Sequence, residues 1–166
     1  LTGIYGHYAS DRDLSLEEVK AHLNNNDEYV IRIKSPGDMN KQIVLHDLIK
    51  GDISIPENII DEVILKKDGI PTYHFAHVID DHLMRTTHVL RGEDWLPSVP
   101  LHLELFDMFG FERPKYAHLG LVMKVDEDGT RRKLSKRKDP EAAVSYYHEK
   151  GIPVEAVKLY LMTIAN

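Results

Sequence analysis

The basic segment Lys133-Leu134-Ser135-Lys136-Arg137 carries the clearest chemical signal in this sequence. Two lysines three positions apart, with a hydroxyl residue between them, can place two cations against a triphosphate. With Arg131, Arg132 and Lys138 included, every residue from 131 to 138 except the leucine is basic or hydroxylic. A solvated basic loop is the simplest alternative for such a run, so the interpretation depends on the rest of the chain.

The composition is typical of a folded globular protein without thiol chemistry. The chain has 166 residues, of which 42% are hydrophobic and 29% are charged, and it contains no cysteine. Disulfides and thiolate metal sites are therefore excluded, which fits a cytoplasmic protein. The formal net charge is -6, so any polyanion must be bound by a local basic patch and not by the surface as a whole.

The chain is predicted to have no membrane partner and to begin within a longer protein. No apolar run approaches the roughly 18 residues of a membrane span. The first residues, Leu1-Thr2-Gly3, provide neither an initiator methionine nor a secretion signal.

Residues 1 to about 60 are predicted to form a small α+β unit. Ser15 followed by Glu18 indicates a capping box at the start of a helix. The segments 29–34 and 42–55 are rich in β-branched residues and are interrupted by turn residues, which favours short antiparallel strands.

Beyond Asp61 the chain alternates predicted strands with predicted helices, the pattern of a parallel α/β sheet. The predicted strands are 63–65, 87–90 and 116–123, the predicted helices are 72–84 and 97–109, and a turn at 126–129 leads into the basic segment. Asp139 is predicted to cap a further helix with Pro140 at its first position, and a last helix follows 151–153.

Tyr73 and Arg91 are candidates for one ligand pocket because each lies next to a predicted strand end, where open α/β sheets bind ligands. A guanidinium can bind a carboxylate through two hydrogen bonds. The alternatives are an ordinary helix residue for Tyr73 and a surface ion pair for Arg91. Trp95 either lines the same pocket or packs in the core. Gly120 allows close approach by a flat ring such as adenine.

The cluster Asp80-Asp81-His82, with His77 and His88 nearby, raises the possibility of a metal site. We predict none, because adjacent residues on a helix point about 100° apart and the usual spacing of helical metal ligands is absent. The predicted role of this cluster is hydrogen bonding around Arg91.

Four segments together resemble the second half of the class I catalytic domain of bacterial-type glutamyl-tRNA synthetases. They are Asp68 to Tyr73, Ala76 to Met84, Thr87 to Trp95 and Lys133 to Arg137. The resemblance implies an α/β fold with a Rossmann-like catalytic half over residues 61–139. It also implies an acceptor-end-binding insertion over residues 1–60 and the start of a helical stem-contact region over residues 140–166. The run His77 to Met84 resembles the glutamyl branch more than the glutaminyl branch.

The resemblance implies activation of glutamate with ATP, with Mg²⁺ expected, followed by transfer to the 3′ end of tRNA(Glu). Tyr73 and Arg91 match glutamate-binding positions. Asp94, Trp95, Leu121, Val122 and Lys136 match the neighbourhood of ATP. Lys133 and Lys136 match the catalytic Lys-Met-Ser-Lys-Ser signature, with Leu134 in place of the methionine and Arg137 in place of the last serine.

One departure from the family pattern predicts that the chain is an internal fragment of a synthetase. The His-x-Gly-His signature of the family's first nucleotide-binding half is absent from these 166 residues. Two alternatives stay open at this stage. One is a non-catalytic module of synthetase ancestry that binds the tRNA acceptor or has a regulatory role. The other is a metal-dependent nucleotide hydrolase that uses Asp80, Asp81 and His82.

Overall fold

The computed structural model describes residues 11–165, which form a mixed α/β fold. The helices are α1 (Leu16–Asn24), α2 (Tyr73–Leu83), α3 (Val99–Met108), α4 (Val144–Glu149) and α5 (Val154–Ala165), with short 3-10 helices at Glu93–Ser98 and Pro140–Ala142. The strands are β1 (Ile31–Arg32), β2 (Gln42–Asp47), β3 (Gly51–Pro56), β4 (Val63–Leu65), β5 (His88–Gly92), β6 (Lys115–Leu119), β7 (Met123–Val125) and β8 (Arg131–Lys133).

The main sheet has four strands in the order β3-β2-β6-β5. Strands β2 and β3 form an antiparallel hairpin, whereas β5 and β6 are parallel along their whole length. Strand β2 meets β6 in parallel at a single register pair, Asp47 with Tyr116. The hairpin therefore extends the parallel pair, and the sheet crosses the predicted domain boundary near residue 60. That boundary stays a prediction.

Strand β4 does not join the parallel sheet, contrary to the sequence-based expectation. It pairs antiparallel with β1 in a separate two-stranded sheet. Its chain then turns back, and Thr72 donates from its backbone N to Ile64 O at 2.9 Å and from its hydroxyl to Val63 O at 2.8 Å. The polar groups of this short strand are thus satisfied by β1 and by the returning chain. The prediction was wrong about the sheet because the residue pattern of a strand does not specify which strand it pairs with.

Helix α3 is the centre of the core. Its buried residues are Val99, Leu101, His102, Leu103, Leu105 and Phe106. One apolar cluster joins Leu101, Leu105 and Phe106 to Val78 of α2, and a second joins Val99 and Leu103 to the main sheet. A helix that is apolar on nearly all sides is buried between layers, and this burial fixes the position of His102 inside the protein.

The ends of the other helices and strands can be compared with those predicted from local sequence patterns. The capping box of Ser15 and Glu18 is confirmed, and α2 begins at Tyr73, one residue after its predicted start at Thr72. The helix predicted from residue 97 is preceded by a 3-10 helix and becomes α-helical only at Val99. The third predicted strand ends at Leu119 instead of 123.

The prediction for Asp139 is confirmed in position but not in the role of the side chain. Asp139 is the N-cap residue of the 3-10 helix Pro140–Ala142, which begins with Pro140 as predicted, but its side chain makes no capping hydrogen bond. Its carboxylate instead accepts hydrogen bonds from Arg132 and from the backbone N of Ser135. These partners lie earlier in the chain, and they leave no free oxygen for the expected cap.

Within residues 11–165, no helix combines the length and the apolar character that crossing a membrane requires.

Candidate active site at the carboxyl ends of strands β5 and β6

The parallel pairing of β5 and β6 places Arg91 beside His118, one residue from the end of each strand. The Arg91 Nε donates to His118 Nε2 at 3.1 Å, and Nη1 lies 3.3 Å from His102 Nδ1 on α3. The third guanidinium nitrogen, Nη2, is buried and has no hydrogen-bond partner within residues 11–165. Arg91 is thus held by two histidines with one donor group free.

Aromatic rings surround the guanidinium of Arg91. Its Cζ lies 4.9 Å from the ring centroid of Tyr116 and 5.8 Å from that of Trp95. The rings of Trp95 and Tyr73 are 4.6 Å apart. The structure therefore brings the predicted residues Tyr73, Arg91 and Trp95 together. Burial lowers the pKa of Arg91 from its ordinary value, but arginine stays charged in proteins.

His102 is fully buried beneath this site. Burial, followed by the nearby His77 and Arg91, lowers the pKa of His102 to about 2, so the imidazole is neutral at physiological pH. Because Arg91 can only donate, His102 Nδ1 accepts, and the ring proton must be on Nε2. That nitrogen lies 2.9 Å from His74 Nδ1, to which it donates.

Asp47, at the end of β2, contacts His118 from the strand that neighbours β6 on the side away from β5. Its carboxylate lies 2.6 Å from His118 Nδ1 and accepts from the backbone N of Ile49 and of Lys50 at 3.0 Å each. Burial raises the pKa of Asp47, but hydrogen bonds led by those of Lys50 and His118 outweigh burial and hold the pKa below its ordinary value. The carboxylate is therefore ionised beside His118.

The sequence analysis assigned no role to Asp47, His102 or His118. A histidine within the otherwise apolar stretch 99–106 was a usable signal for His102. Asp47 comes directly before a turn, where acidic residues are common, so its role had no distinctive local signal.

The acidic cluster on α2 does not converge on one point. Asp81 Oδ2 lies 3.1 Å from His77 Nδ1, whereas the ring of His82 stacks on Phe111 with centroids 3.6 Å apart. No group of three or more carboxylate or imidazole side chains in the described part of the chain is arranged to hold a metal ion. The hydrolase alternative therefore gains no support.

The basic segment is anchored at Arg132 and Asp139. The Arg132 guanidinium contacts the carboxylates of Asp126 and Asp139 at 2.6 to 3.0 Å. The side chain of Arg132 and the backbone N of Ser135 lower the pKa of Asp139 well below its usual range. These contacts fold the segment 132–139 back on itself.

Lys133 and Lys136 have different surroundings. The Lys133 Nζ lies 2.5 Å from Asp94 Oδ2, which connects the basic segment to the 3-10 helix after β5. Lys136 is exposed, and its ammonium has no ion-pair or hydrogen-bond partner among residues 11–165. The structure thus brings Lys133 to a predicted ATP-binding residue and leaves Lys136 facing solvent.

Leu121 and Val122 lie between the pocket and the basic segment. A Cβ on Gly92 would lie 2.4 Å from Asp94 Oδ1 and 3.1 Å from Leu121 Cδ2, so a larger residue here would require the Asp94 side chain to move. The backbone O of Val122 accepts from Leu134 N at 2.9 Å. At Gly120, the atom that approaches closely is the carbonyl oxygen of Ile164 in α5, 3.0 Å from where a Cβ would be.

An apolar cleft of about 310 Å³ lies between the basic segment and helices α4 and α5. Leu134 lines it together with Tyr147, Ile152 and Val157. Leu134 thus faces the helical region, while Lys133 and Lys136 are exposed.

The profile of the family described as tRNA synthetases class I (E and Q), catalytic domain, matches residues 7–165. This chain belongs to that family. It is 58% identical over 164 residues to the glutamate–tRNA ligase of Clostridium perfringens (strain 13 / Type A), covering 99% of this chain and 30% of the relative. It is 53% identical to the corresponding ligase of Acetivibrio thermocellus, again covering 99% of this chain and 30% of the relative.

Solved structures of the family have the same fold. The glutamate tRNA ligase of Elizabethkingia meningosepticum, in complex with its amino acid, superposes with a TM-score of 0.68 at 45% identity and covers 80% of this chain and 27% of that one. The glutamate-tRNA synthetase of Elizabethkingia anophelis superposes with a TM-score of 0.67 at 42% identity and covers 90% of this chain and 29% of that one. The chain spans about 30% of the length of the curated relatives it matches.

Proposed function

We propose that this chain is the glutamate-binding and phosphate-contacting part of a glutamate–tRNA ligase. Such an enzyme activates glutamate with ATP to glutamyl-adenylate and pyrophosphate, then transfers glutamate to the 3′ end of tRNA(Glu). The observation that carries the proposal is Arg91, whose guanidinium is fixed by two buried histidines and keeps one buried donor nitrogen unpaired. A buried, unpaired cationic donor is costly unless an anion joins it.

Arg91 and Tyr73 are proposed to bind glutamate. In the activation step an oxygen of the α-carboxylate attacks the α-phosphorus, and the bond to the leaving pyrophosphate breaks. Because pairing with a cation would make the attacking carboxylate less nucleophilic, we assign the side-chain carboxylate, which does not react, to Arg91. A planar guanidinium matches this group in shape and charge, and Tyr73 offers a hydroxyl at the rim, where its side chain is half exposed.

Lys133 and Lys136 are proposed to act on the phosphates of ATP, with Asp94, Trp95, Leu121 and Val122 around the nucleotide. Their contribution is to neutralise the charge that moves onto pyrophosphate as it leaves. Mg²⁺ is expected to arrive coordinated by the ATP phosphates, the usual way in which it is bound at such sites. The described residues contain no group of three metal-binding side chains that would form a separate site.

Residues 1–60 are proposed to belong to the acceptor-end-binding insertion, residues 61–139 to the second half of the catalytic domain, and residues 140–166 to the start of the stem-contact region. The support is the 58% identity to a ligase that covers 99% of this chain. We place the protein in the cytoplasm with its tRNA substrate. No observation favours a non-catalytic module over a ligase.

The proposal is tested in a chimaeric ligase in which this chain replaces the matched segment of the Clostridium perfringens relative, called below the full-length ligase. Replacing Arg91 with alanine removes a charge-assisted contact and should cost roughly 2–5 kcal/mol of glutamate binding. ATP–pyrophosphate exchange should show a raised KM for glutamate and a nearly unchanged KM for ATP. Arg113→Ala is the matched control, because Arg113 pairs with Asp107 on the surface. An unchanged glutamate KM in Arg91→Ala would refute the assignment.

A further inference from the structure

A continuous line of buried and partly buried hydrogen bonds joins the β2–β3 hairpin to Arg91. Asp47 and His118 both have fully buried side chains, with Asp47 Oδ2 and His118 Nδ1 2.6 Å apart. On the opposite edge of the same imidazole, Nε2 accepts from Arg91 Nε at 3.1 Å. A carboxylate is therefore connected to the guanidinium through a single ring, although Asp47 and Arg91 belong to different predicted domains.

The hydrogen bonds determine which tautomer His118 adopts. Arg91 Nε can only donate, so His118 Nε2 must present its lone pair. The ring proton is therefore on Nδ1, where the ionised Asp47 accepts it. A carboxylate that fixes the tautomer and orientation of a histidine in this way controls what the opposite nitrogen can do.

The orientation of Arg91 follows from the orientation of His118. With Nε engaged by His118 and Nη1 engaged by His102, rotation of the guanidinium about its long axis is restricted, and Nη2 remains as the free donor. If His118 instead carried its proton on Nε2, two donors would face each other at 3.1 Å. Arg91 would then have to move, and Nη2 would leave its position.

We propose that Asp47 and His118 are positioning residues for glutamate binding: Asp47 sets the tautomer of His118, and His118 aims the free nitrogen of Arg91 at the carboxylate of the substrate. This inference rests on the proposed function, because it takes glutamate as the ligand of Arg91. It adds that the affinity for glutamate depends on an aspartate in the hairpin, which makes no contact with the guanidinium itself.

Asp47 uses different oxygens to hold the turn and to contact the His118 ring, so the positioning role can be tested separately from the turn. Its Oδ1 accepts from the backbone N of Ile49 and of Lys50, which holds the turn between β2 and β3. Oδ1 also accepts from the backbone N of His118 at 3.2 Å, and Oδ2 accepts from the same N at 3.1 Å. An asparagine that keeps its Oδ1 in place can retain the three bonds to Oδ1 but loses the bond from His118 N to Oδ2. Its Nδ2 would then face His118 as a donor, so the ring must accept on Nδ1 and move its proton to Nε2. Asp47→Asn thus alters the tautomer while preserving the turn.

The first experiment measures ATP–pyrophosphate exchange by the full-length ligase carrying Asp47→Asn. We expect the KM for glutamate to rise roughly 10- to 100-fold, by analogy with the loss of a partner that orients a metal-binding histidine. The KM for ATP should change less than about twofold, because the asparagine keeps the two turn bonds and the altered contact reaches the site through His118 and Arg91. Asp52→Asn is the matched control: Asp52 lies in the same hairpin and contacts His46 at 2.6 Å, but both side chains are exposed. It should leave both constants unchanged.

A second pair of variants tests the ring itself. His118→Gln can place an oxygen near the position of Nε2 and so keeps an acceptor for Arg91. His118→Asn keeps only a donor toward Asp47. The glutamate KM should therefore be lower in His118→Gln than in His118→Asn. Equal KM values for these variants would contradict the proposed orientation of Arg91.

A spectroscopic measurement follows the tautomer directly in this 166-residue chain. Long-range ¹H–¹⁵N spectra of the labelled histidines should assign the proton of His118 to Nδ1, and Asp47→Asn should move it to Nε2. Retention of the proton on Nδ1 in the variant would overturn the mechanism. So would a joint loss of glutamate affinity, ATP affinity and thermal stability, which would make Asp47 a purely structural residue.

The outcomes also separate this inference from the proposed function. A raised glutamate KM in Arg91→Ala with no change in Asp47→Asn would overturn the positioning role and leave the function standing. No change in either variant would remove glutamate as the ligand of Arg91, and both proposals would fail.

Discussion

Lys133 Nζ lies 2.5 Å from Asp94 Oδ2 and thereby joins the basic segment to the 3-10 helix that follows β5. Both side chains are largely exposed, so the ion pair is weak and exchangeable. Three residues later, Lys136 extends into solvent. The two lysines therefore differ: in the proposed ATP complex, a phosphate that binds Lys133 displaces Asp94, whereas Lys136 has no partner among residues 11–165 to lose.

We predict that Asp94→Asn loosens the basic segment only slightly, because an exposed ion pair contributes at most about 1 kcal/mol. Amide hydrogen exchange of residues 134–138 should accelerate by no more than about fivefold in the 166-residue chain. Asp139→Asn is the comparison, since Asp139 is buried and accepts from Arg132 and from Ser135 N. It should accelerate exchange far more. Equal effects of the two variants would show that Asp139 is not the anchor.

Lys136→Ala in the full-length ligase should slow adenylate formation by roughly 10²–10³-fold, because its proposed partner is charge that develops during the reaction. Its side chain makes no contact that folding needs, so glutamate binding should stay nearly intact. Rapid-quench measurement of adenylate separates the two quantities. Lys138→Ala, two residues away and also exposed, is the control and should retain its rate. Parallel losses of rate and glutamate affinity in Lys136→Ala would contradict a role confined to the phosphates.

The elements that local chemistry determines could be predicted from the sequence. The capping box of Ser15 and Glu18 and the start of α2 near Thr72 depend on neighbours within four residues. The pairing of β4 does not depend on such near neighbours, because a three-residue strand pairs with whichever edge is available, here β1. Asp139 shows the same limit: its sequence neighbours indicate a capping side chain, but Arg132 occupies its carboxylate.

The candidate site divides in the same way. Tyr73, Arg91 and Lys133 were recognisable from motifs, and the structure brings Tyr73 and Arg91 to the same aromatic cluster. Their roles in binding stay predictions. The contact between Asp47 and His118 joins residues 71 positions apart, and such a contact leaves no periodic or spacing signal in one sequence.

Stability of the 166-residue chain should fall as the pH drops below 6.5. The pKa of His102 is lowered to about 2 in the folded protein, whereas a histidine in the unfolded chain titrates near 6.5. Below that pH the unfolded state binds a proton that the folded state excludes. The contribution of His102 is therefore complete above about pH 6.5 and declines toward pH 2. The free energy of unfolding should be about 1.4 kcal/mol smaller at pH 5.5 than at pH 7.5 from this group alone.

Urea denaturation at the two pH values measures this difference. His102→Gln should remove about 1.4 kcal/mol of the pH dependence, because glutamine does not titrate. His46→Gln, which replaces an exposed histidine, is the control for the loss of an imidazole at the surface. If His102→Gln and the parent lose the same free energy between pH 7.5 and pH 5.5, His102 is not excluded from protonation in the folded state.

The 166-residue chain alone should fold at least in part but form no glutamyl-adenylate. Its core is built around α3, with apolar clusters on both sides of that helix, so a compact structure is expected. Catalysis needs the reacting groups aligned, and a displacement of about 1 Å can cost roughly 10²-fold in rate. In this chain Lys136 faces solvent, and the His-x-Gly-His signature of the family's other half is absent from the sequence. The nucleotide would therefore be held from one side only.

ATP–pyrophosphate exchange with glutamate, with and without tRNA, tests this expectation on protein freed of host synthetase. The full-length ligase serves as the positive control, and the Lys136→Ala form of the short chain measures residual contamination, since a contaminating enzyme would be unaffected by that change. Exchange by the short chain at the level of the Lys136→Ala form is the expected result. Robust exchange that disappears in Lys136→Ala would show that these residues position both substrates without the other half of the catalytic domain, and the half-site interpretation would be wrong.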